Sequence, residues 1–247
     1  MYVNKWAVAQ KAPAAPAIDG VLAETIWSGS AILDDFRAVY TNEPVQDGPS
    51  YRLAYDSSHL YFGGSFASAD RSDLEKIELL ISAQQAGEPH YVVSVPVTAL
   101  PRKTATDWNV GREIVKQNPQ RTNVNAFTLA MTDAGGRTSV ELSVPWSAFG
   151  LSAPEEGAEW RVNVVHVYRL GTKPLLTWVP VRTSTYWDTG TTVTIKANIV
   201  DEGRLGTVYF GRPKSGASWK PERARLRYDS FTRKTLSFER SGAADAQ

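Results

Sequence analysis

The residues that could carry hydrolytic chemistry in this chain are three pairs of adjacent acids: Asp34-Asp35, Glu155-Glu156 and Asp201-Glu202. Each pair lies in a stretch that has the composition of a turn. Glycoside hydrolysis needs two carboxylates that face each other across the scissile bond, with one of them in an apolar setting that raises its pKa. Adjacent turn residues do not meet this requirement. We therefore interpret the pairs as solvated turns and predict no catalytic residue.

Other reactive groups are sparse. The three histidines, His59, His90 and His166, are dispersed, whereas a zinc site needs three or four convergent ligands. His166 shares an apolar strand face, and we predict that it is a buried histidine with hydrogen-bond partners. There is no cysteine, which excludes disulfides and thiol catalysis. The sequence also has no glycine-rich phosphate loop and no G-x-S-x-G serine motif.

Charge and composition exclude two classes of partner. The 247 residues include 27 Lys and Arg against 26 Asp and Glu, which gives a net charge of +1. Nucleic-acid grooves and polybasic membrane surfaces need an excess of positive charge, so we predict neither a nucleic-acid nor a membrane partner. No apolar run is long enough to cross a bilayer. The eight tryptophans and ten tyrosines are more informative, because exposed aromatic side chains usually bind something.

Strands must position such aromatics, and the clearest strands lie between Arg137 and Arg169. The segment RTSVELSVPW alternates apolar and polar residues, and so does EWRVNVVHVYR further along. This period of two is that of half-buried strands, whose successive side chains point to opposite faces. Trp146 and Trp160 share faces with valine and leucine, so we predict that both lie in the core.

Short alternating segments separated by turns recur through the rest of the chain, with almost no helical periodicity. They cover residues 50–55, 60–66, 75–82, 91–97, 127–131, 175–181, 193–199 and 208–210. Two polar loops interrupt them: residues 100–120, with Trp108, and residues 183–190, with Tyr186 and Trp187. Many short strands joined by turns predict an all-β fold, an antiparallel β-sandwich of the jelly-roll type.

The two ends of the chain differ in composition from its middle. Residues 1–15 are rich in alanine and proline and residues 239–247 are small and polar, so we predict that both are linkers. We expect one sandwich domain over residues 16–212 and a C-terminal extension that packs on it over residues 213–238. We also expect that the chain is part of a longer protein whose export signal lies outside it.

Six local patterns follow one another in order: APAIDGVLAETIW, LAYDSSHLYFGGSF, KIELLIS, VELSVPWSAFG, GAEWRVNVVHVYR and LTWVPV. This series resembles the family nine carbohydrate-binding modules, which are extracellular β-sandwiches related to the DOMON-like group. The resemblance covers residues 16–210, and the order of the motifs carries it, because no single motif is specific. It implies a non-catalytic module that binds oligo- or polysaccharide, an extracellular or cell-surface location, and other domains in the same polypeptide, an enzyme among them.

The resemblance also implies a site, because these modules hold sugar between two tryptophans while polar side chains bond its hydroxyls. Trp187 matches one tryptophan, and Glu78 matches a glutamate that contacts hydroxyls. The second tryptophan should precede the KIELLIS strand, but residues 71–74 contain no aromatic. Either Trp108 replaces it, or the sugar site is altered or lost. Family members also bind structural calcium; no carboxylate cluster here matches theirs residue by residue, so a calcium ion is expected from the resemblance alone.

Each candidate ligand-binding residue has a structural interpretation beside the functional one. The candidates are Trp187, Tyr186, Trp108, Trp178, Glu78, Arg169 and Asn163. The aromatic candidates in loops either stack on sugar or pack locally, whereas Trp178, in a predicted strand, favours the core. Glu78 either contacts ligand or belongs to a solvated strand face. Arg169 and Asn163 share a face, where they either donate to hydroxyls or pair with a neighbouring strand.

Three other functions are open at this stage. A DOMON-type haem module needs methionine and histidine ligands, and Met131, the only internal methionine, is predicted to face inward with Phe127 and Leu129. A structural or interaction domain with a degenerate sugar site is favoured by the missing tryptophan. A hydrolase or lyase on the same scaffold has no residue that supports it.

Overall fold

The computed structural model describes residues 5–29, 32–39, 41–83, 90–97, 121–169, 172–180, 182–188, 192–198 and 205–212, with the backbone alone for 90, 121–123, 182–188 and 192–198. The strands of these residues are β1 (Trp6–Lys11), β2 (Arg37–Ala38), β3 (Ser50–Tyr55), β4 (His59–Ala67), β5 (Leu74–Ser82), β6 (His90–Pro96), β7 (Arg121–Val124), β8 (Thr128–Ala134), β9 (Arg137–Pro145), β10 (Glu159–Tyr168), β11 (Leu176–Thr177), β12 (Arg182–Asp188), β13 (Thr192–Asn198) and β14 (Gly206–Phe210). One helical turn, α1 (Ile26–Gly29), and two 3-10 turns, Ser68–Asp70 and Trp146–Phe149, complete the described elements.

The strands form two sheets that share β1. The order in sheet A is β7-β6-β5-β10-β14-β1, with β11 beside β10 and β2 beside β11, and the order in sheet B is β1-β3-β4-β9-β8. Residues 6–9 of β1 pair with β14, and residues 10–11 pair with β3. β12 and β13 form a separate hairpin. The predicted all-β sandwich is confirmed, and most strand pairs are antiparallel, but β1–β14, β1–β3 and β6–β7 are parallel pairs that the sequence did not predict.

The prediction that residues 1–15 form a linker is wrong for residues 6–11, which form β1. Ala7 and Ala9 are fully buried, and the Gly211 N–H donates to the Ala9 carbonyl at 2.9 Å. The segment alternates outward and inward residues like the other strands, but its inward side chains are alanines. Because alanine is small and only weakly apolar, the alternation of inward and outward residues is hard to recognise in this segment. The predicted extension over 213–238 and the linker over 239–247 lie outside the described residues.

The core lies between the facing surfaces of the two sheets. Trp146 and Trp160 are both buried, with ring centroids 5.6 Å apart and planes at 81°. Phe210 of β14 contacts both rings, at centroid distances of 6.1 and 4.8 Å. Edge-to-face pairs of this kind add stability beyond the burial of the ring area. The prediction that the two tryptophans belong to the core is confirmed.

The outer face of sheet B is covered by the segment that follows β1. Trp27 and Ile26 of α1 pack over Tyr61 and Ala54 of this face. The Trp27 ring lies on Gly63, where an added Cβ would come within 2.8 Å of the ring carbons. Glycine at this position therefore lets the indole lie flat on the sheet.

A buried carboxylate holds the segment with Trp27 on sheet B through hydrogen bonds. Glu141 of β9 accepts hydrogen bonds from the Trp27 indole N–H at 2.8 Å and from the backbone N–H groups of Gly20 and Asp19 at 2.8 and 3.0 Å. Burial raises the pKa of Glu141, while these three donors act in the opposite direction. Glu141 is thus a structural tie rather than a reactive acid.

Candidate functional site

The outer face of sheet A contains the first of the predicted site residues. Along β5, Ile77, Leu79 and Ile81 belong to the core, so Lys76 and Glu78 point to the other face. Glu78 lies opposite Val165 of β10. Glu78 therefore faces away from the core, as the alternation of the strand predicted.

Glu78 forms a close ion pair on this face. Its Oε1 accepts from the Lys76 Nζ at 2.6 Å, and the exposed fractions of the two side chains are 10% and 31%. A carboxylate held beside an ammonium group offers an acceptor and a donor at one place, which is the combination that sugar hydroxyls require. The contact of Glu78 with sugar stays a prediction.

Asn163 does not lie on an exposed polar face, contrary to prediction. It is 1% exposed, its Oδ1 accepts from the N–H groups of Val164 and Val179, each at 2.9 Å, and its Nδ2 donates to the Thr177 hydroxyl at 2.9 Å. β11 lies beside β10 in the sheet, and Thr177 and Val179 take up the hydrogen bonds of the amide. Asn163 is therefore a tie between β10 and β11, and its amide is not directed to a ligand.

Trp178 is also part of the core, 2% exposed. Its ring lies against Gly206 of β14, where an added Cβ would come within 2.4 Å of the ring. The Lys5 Nζ lies 5.9 Å from the ring centroid. The interpretation of Trp178 as a core residue is confirmed, and its place among the ligand-binding residues is wrong, because β14 covers the ring.

Arg169 lies at the far end of β10 from Arg161 and fastens a turn. Its Nη2 donates to the Ser72 carbonyl at 2.9 Å, and its backbone N–H donates to the Asp73 carbonyl at 2.7 Å. These bonds hold the turn that precedes β5, which is the part of the sequence where the family tryptophan is missing. The interpretation of Arg169 as a partner of a neighbouring strand is thus favoured over a sugar contact.

The predicted aromatic site lies largely outside what the structure describes. Tyr186 and Trp187 belong to β12, opposite Thr194 and Val193 of β13, so the prediction of a loop over residues 183–190 is wrong for residues 183–188. Alternating Thr, Tyr and Trp residues form strands readily, which explains the hairpin. Nothing is described of the two side chains. Trp108 lies outside the described residues.

Sequence reasoning missed an exposed tryptophan, Trp6. Its exposed fraction is 41%, and it lies on the outer face of sheet A, since Ala7 next to it belongs to the core. The alternation in WAVAQK was the available signal. This signal is weak, because the alanines and prolines around it have the composition of a linker.

The buried histidine has no free nitrogen for a ligand. His166 lies 2.6 Å from the Tyr51 hydroxyl through Nε2 and 3.4 Å from the Tyr168 hydroxyl through Nδ1. Tyr168 in turn donates to Asp70 at 3.1 Å. Because that hydroxyl hydrogen is used, Nδ1–H donates to the Tyr168 oxygen, and Nε2 accepts from Tyr51. The prediction of a buried, hydrogen-bonded histidine is confirmed, and this histidine cannot serve as an axial haem ligand.

Burial controls the protonation of this network. It lowers the pKa of His166 to about 3, although the negative charge of Asp70 acts in the opposite direction. Burial also raises the pKa of Tyr51 and of Tyr168. All three groups are therefore neutral near pH 7 and act as core hydrogen-bond partners.

The described ranges contain neither a cluster of metal-binding side chains nor a helix that could span a membrane. No group of three or more histidine, cysteine, aspartate or glutamate side chains there could hold a metal ion. No helix among these residues is long and apolar enough to span a bilayer. The structural calcium ion expected from the resemblance stays a prediction.

Comparison with known proteins gives similar folds at low identity. No family model and no curated protein matches the chain. A protein from Bacteroides uniformis ATCC 8492 to which carbohydrate binding is attributed is 15% identical, with 83% of this chain and 99% of that chain covered at a TM-score of 0.49. A family 9 carbohydrate-binding module from Caldicellulosiruptor kristjanssonii is 13% identical both in its glucose complex (85% and 98% covered, TM-score 0.46) and in its cellotriose complex (88% and 98%, TM-score 0.43).

These structures include the family that the ordered sequence motifs resemble. At identities of 13–15% and TM-scores below 0.5, the similarity carries no conclusion about what this chain binds. A functional conclusion has to come from the chain's own residues.

Proposed function

We propose that this chain is a non-catalytic carbohydrate-binding module that uses the outer face of sheet A. The observation that carries the proposal is the position of Glu78, the residue that the motif resemblance assigns to sugar hydroxyls. It lies outside the core, beside Lys76, with its carboxylate 2.6 Å from the ammonium group. Charged donors and acceptors on a fixed strand replace the water that a sugar hydroxyl loses on binding.

The state of the other polar groups supports a binding rather than a catalytic role. Among the described residues, the buried carboxylate Glu141 and the buried histidine His166 are both saturated by hydrogen bonds within the fold. A glycosidase needs two carboxylates that face each other across a cleft. The adjacent acids at 34–35 and 155–156 lie outside the strands and helices, and Asp35 forms ion pairs with Lys5 and Arg37.

The test is calorimetric titration of the chain against a panel of neutral oligosaccharides, with sedimentation on insoluble polysaccharides. We expect the wild-type chain to bind at least one glycan. Glu78→Gln should weaken binding about tenfold, since a hydrogen bond to a charged group contributes roughly 1.5–3 kcal/mol. Trp187→Ala should also weaken it. Glu43→Gln, which removes one carboxylate charge from an exposed loop, is the matched control and should leave the affinity unchanged.

Two results contradict the proposal. One is a wild-type chain that binds no member of the panel. The other is a Glu78→Gln variant with the wild-type affinity and the wild-type unfolding midpoint.

We further propose that the module anchors a larger extracellular protein, with an attached enzyme, to polysaccharide. Anchoring raises the effective concentration of the attached domain at its substrate. A fusion of this chain to a soluble glycosidase should hydrolyse insoluble glycan faster than the unfused enzyme does. Both should hydrolyse a small soluble substrate at the same rate, and equal rates on the insoluble glycan would count against anchoring.

A second candidate function, an interaction domain with a degenerate sugar site, is favoured by the turn at residues 71–73. Arg71 forms an ion pair with Asp133, and Arg169 donates to the Ser72 carbonyl at 2.9 Å. The turn is thus tied to two neighbouring strands and has no aromatic side chain for stacking. The absence of binding to every glycan of the panel would favour this second function.

A further inference from the structure

Where β1, β14 and β10 run side by side, the outer face of sheet A has the partly exposed side chains of Trp6, Arg161 and Glu159 around Thr207, which is buried. Trp6 is opposite Thr207, Thr207 is opposite Arg161, and Tyr209 is opposite Glu159 two residues along. Paired residues of neighbouring strands point to the same face. The residues that alternate with them belong to the core: Ala7, Val208 and Trp160. We call the five residues Trp6, Thr207, Tyr209, Arg161 and Glu159 the open strip.

Trp6 is the aromatic plane of the open strip, and its backbone is held firmly. It is 41% exposed, whereas the other four tryptophans with described side chains are all buried. Lys5 next to it donates through Nζ to the carbonyls of Asp34 and Asp35, at 2.7 and 2.6 Å, and its own carbonyl accepts from the Thr207 N–H at 2.9 Å. The ring is therefore presented by a fixed strand end, so little backbone freedom is lost when a ligand stacks on it.

Arg161 and Glu159 supply polar groups beside this ring. The Arg161 Nη1 donates to the Thr207 hydroxyl at 2.6 Å, and its Nη2 lies 3.9 Å from the Glu159 Oε1. The side chains are 37% and 30% exposed. A guanidinium group has five N–H donors, so further donors of Arg161 reach the surface of the strip. Burial raises the pKa of Tyr209, with Glu159 adding to this and Arg161 opposing it, which agrees with a phenol close to both charges.

The charge and shape of the strip select one class of ligand. One arginine and one glutamate give no net charge, so an anionic polymer such as nucleic acid or a uronic-acid chain finds no excess of cations. An exposed indole face flanked by donors and acceptors matches a neutral pyranose, which has an apolar ring face and a rim of hydroxyls. Because neighbouring strands are about 4.8 Å apart, Trp6 and Arg161 are roughly 10 Å apart, which leaves room for more than one sugar unit.

We propose that the open strip is a second carbohydrate subsite that takes an uncharged pyranose chain, stacked on Trp6 and hydrogen-bonded by Arg161 and Glu159. The proposal rests on the proposed function, because it assigns a further contact surface to the same module. Glu78 lies opposite Val165, four residues from Arg161 along β10, which is roughly 13 Å at the rise of a strand. Asn163 lies between them, is buried, and donates to the Thr177 hydroxyl of β11. A single sugar ring cannot contact both places, so the open strip is a separate subsite.

The experiment compares four forms of the chain on the same panel of neutral glycans: wild type, Trp6→Ala, Trp6→Tyr and Arg161→Gln. We expect Trp6→Ala to weaken binding of long oligosaccharides about 5-fold or more and Arg161→Gln to weaken it less. Trp6→Tyr, which keeps a stacking ring, should restore most of the affinity. Short oligosaccharides that reach only the Glu78 region should bind wild type and Trp6→Ala equally.

Fluorescence gives a second readout that a folding defect would not mimic. Cellohexaose should protect part of the tryptophan emission of the wild-type chain from quenching by acrylamide, and Trp6→Phe should lose that part of the protection. Equal affinities of wild type and Trp6→Ala for every long glycan, with binding intact in the wild type, would overturn the second subsite and leave the proposed function standing. Tighter binding of polygalacturonate than of any neutral glycan would overturn the assignment to uncharged chains. If the wild type binds no glycan, both proposals fail.

Discussion

The outer faces of the two sheets each have a tryptophan, and the two tryptophans are in opposite situations. Trp27 covers sheet B and is 3% exposed, with its indole N–H bonded to Glu141 and its ring on Gly63. Trp6 lies on sheet A and is 41% exposed. A tryptophan on a sheet is therefore a packing element where a glycine and a buried acceptor receive it, and a candidate binding surface where neither is present.

The outer face of sheet A also has a buried part and a more exposed part. Around Asn163, whose amide bonds Thr177 and Val179, Leu80, Val92 and Val165 are buried together with Val39. At the end of β1, Trp6 is 41% exposed. The buried amide of Asn163 therefore separates the Glu78 region from the strip at β1 and β14.

Truncation of the buried Trp27 should have the largest effect on the free energy of unfolding. Trp27→Ala should destabilise the protein by about 3–5 kcal/mol, the range for buried aromatic side chains, because it leaves a cavity over Gly63 and an unpaired Glu141 carboxylate oxygen. Urea unfolding followed by far-UV circular dichroism measures this. Gly63→Ala is a companion variant that should also destabilise, since its Cβ would lie 2.8 Å from the Trp27 ring. A loss below 1 kcal/mol for Trp27→Ala would show that the cover is not part of the folded unit.

Acid should weaken the closed interior through His166. Its pKa in the folded protein is about 3, below the ordinary value of 6.5, so the unfolded chain binds a proton that the folded chain excludes. Stability contributed by the neutral imidazole is therefore complete above pH 6.5 and is lost as the pH falls from 6.5 towards 3. The slope approaches roughly 1.4 kcal/mol per pH unit within this window.

The control for this pH dependence is His166→Gln, in which the amide oxygen can accept from Tyr51 but does not titrate. Urea unfolding at a series of pH values between 4 and 7 compares the two proteins. The variant is expected to be less stable at pH 7, because ring contacts with Phe36 and Phe66 are lost, and to show a flatter profile. Parallel profiles for the two proteins would contradict the assignment of the slope to His166.

Breaking the tie at Asn163 should have an intermediate effect. Asn163→Ala leaves the N–H of Val179 and the hydroxyl of Thr177 with fewer partners, so we expect a loss of about 1–3 kcal/mol. Amide hydrogen exchange should speed up at Val179 before it does in β9, because the segment that contains Val179 opens first. Unchanged exchange at Val179 would mean that other contacts hold this segment.

The architecture could be predicted from sequence where alternation was strong. Residues 137–145 and 159–168 alternate bulky apolar and polar side chains, and both are strands with their tryptophans in the core. β1 was missed because its inward residues are Ala7 and Ala9, whose small side chains resemble a linker. The pairing of β1 with both β14 and β3 could not be predicted from its own residues, because it depends on strands that are far away in the chain.

The candidate site was less predictable than the fold. The outward position of Glu78 follows from the alternation of apolar and polar residues along β5, which is visible in the sequence of that strand. The burial of Asn163 does not, because it depends on the hydrogen bonds that its amide forms with another segment, the one containing Thr177 and Val179. The exposure of Trp6 likewise depends on whether another segment of the chain packs on its ring, and a single sequence does not show this.

The smallest expected effect on stability is that of Trp6→Ala, and it completes the contrast with Trp27→Ala. Trp6 is 41% exposed and Trp27 is 3% exposed, so truncation of Trp6 removes less buried area and should lower the free energy of unfolding by clearly less than Trp27→Ala does. The same urea experiment measures both variants. The pair separates two uses of one residue type: Trp27 should matter for folding and not for glycan affinity, and Trp6 mainly for glycan affinity. A destabilisation of Trp6→Ala close to that of Trp27→Ala would assign Trp6 to packing and remove the basis of the open strip.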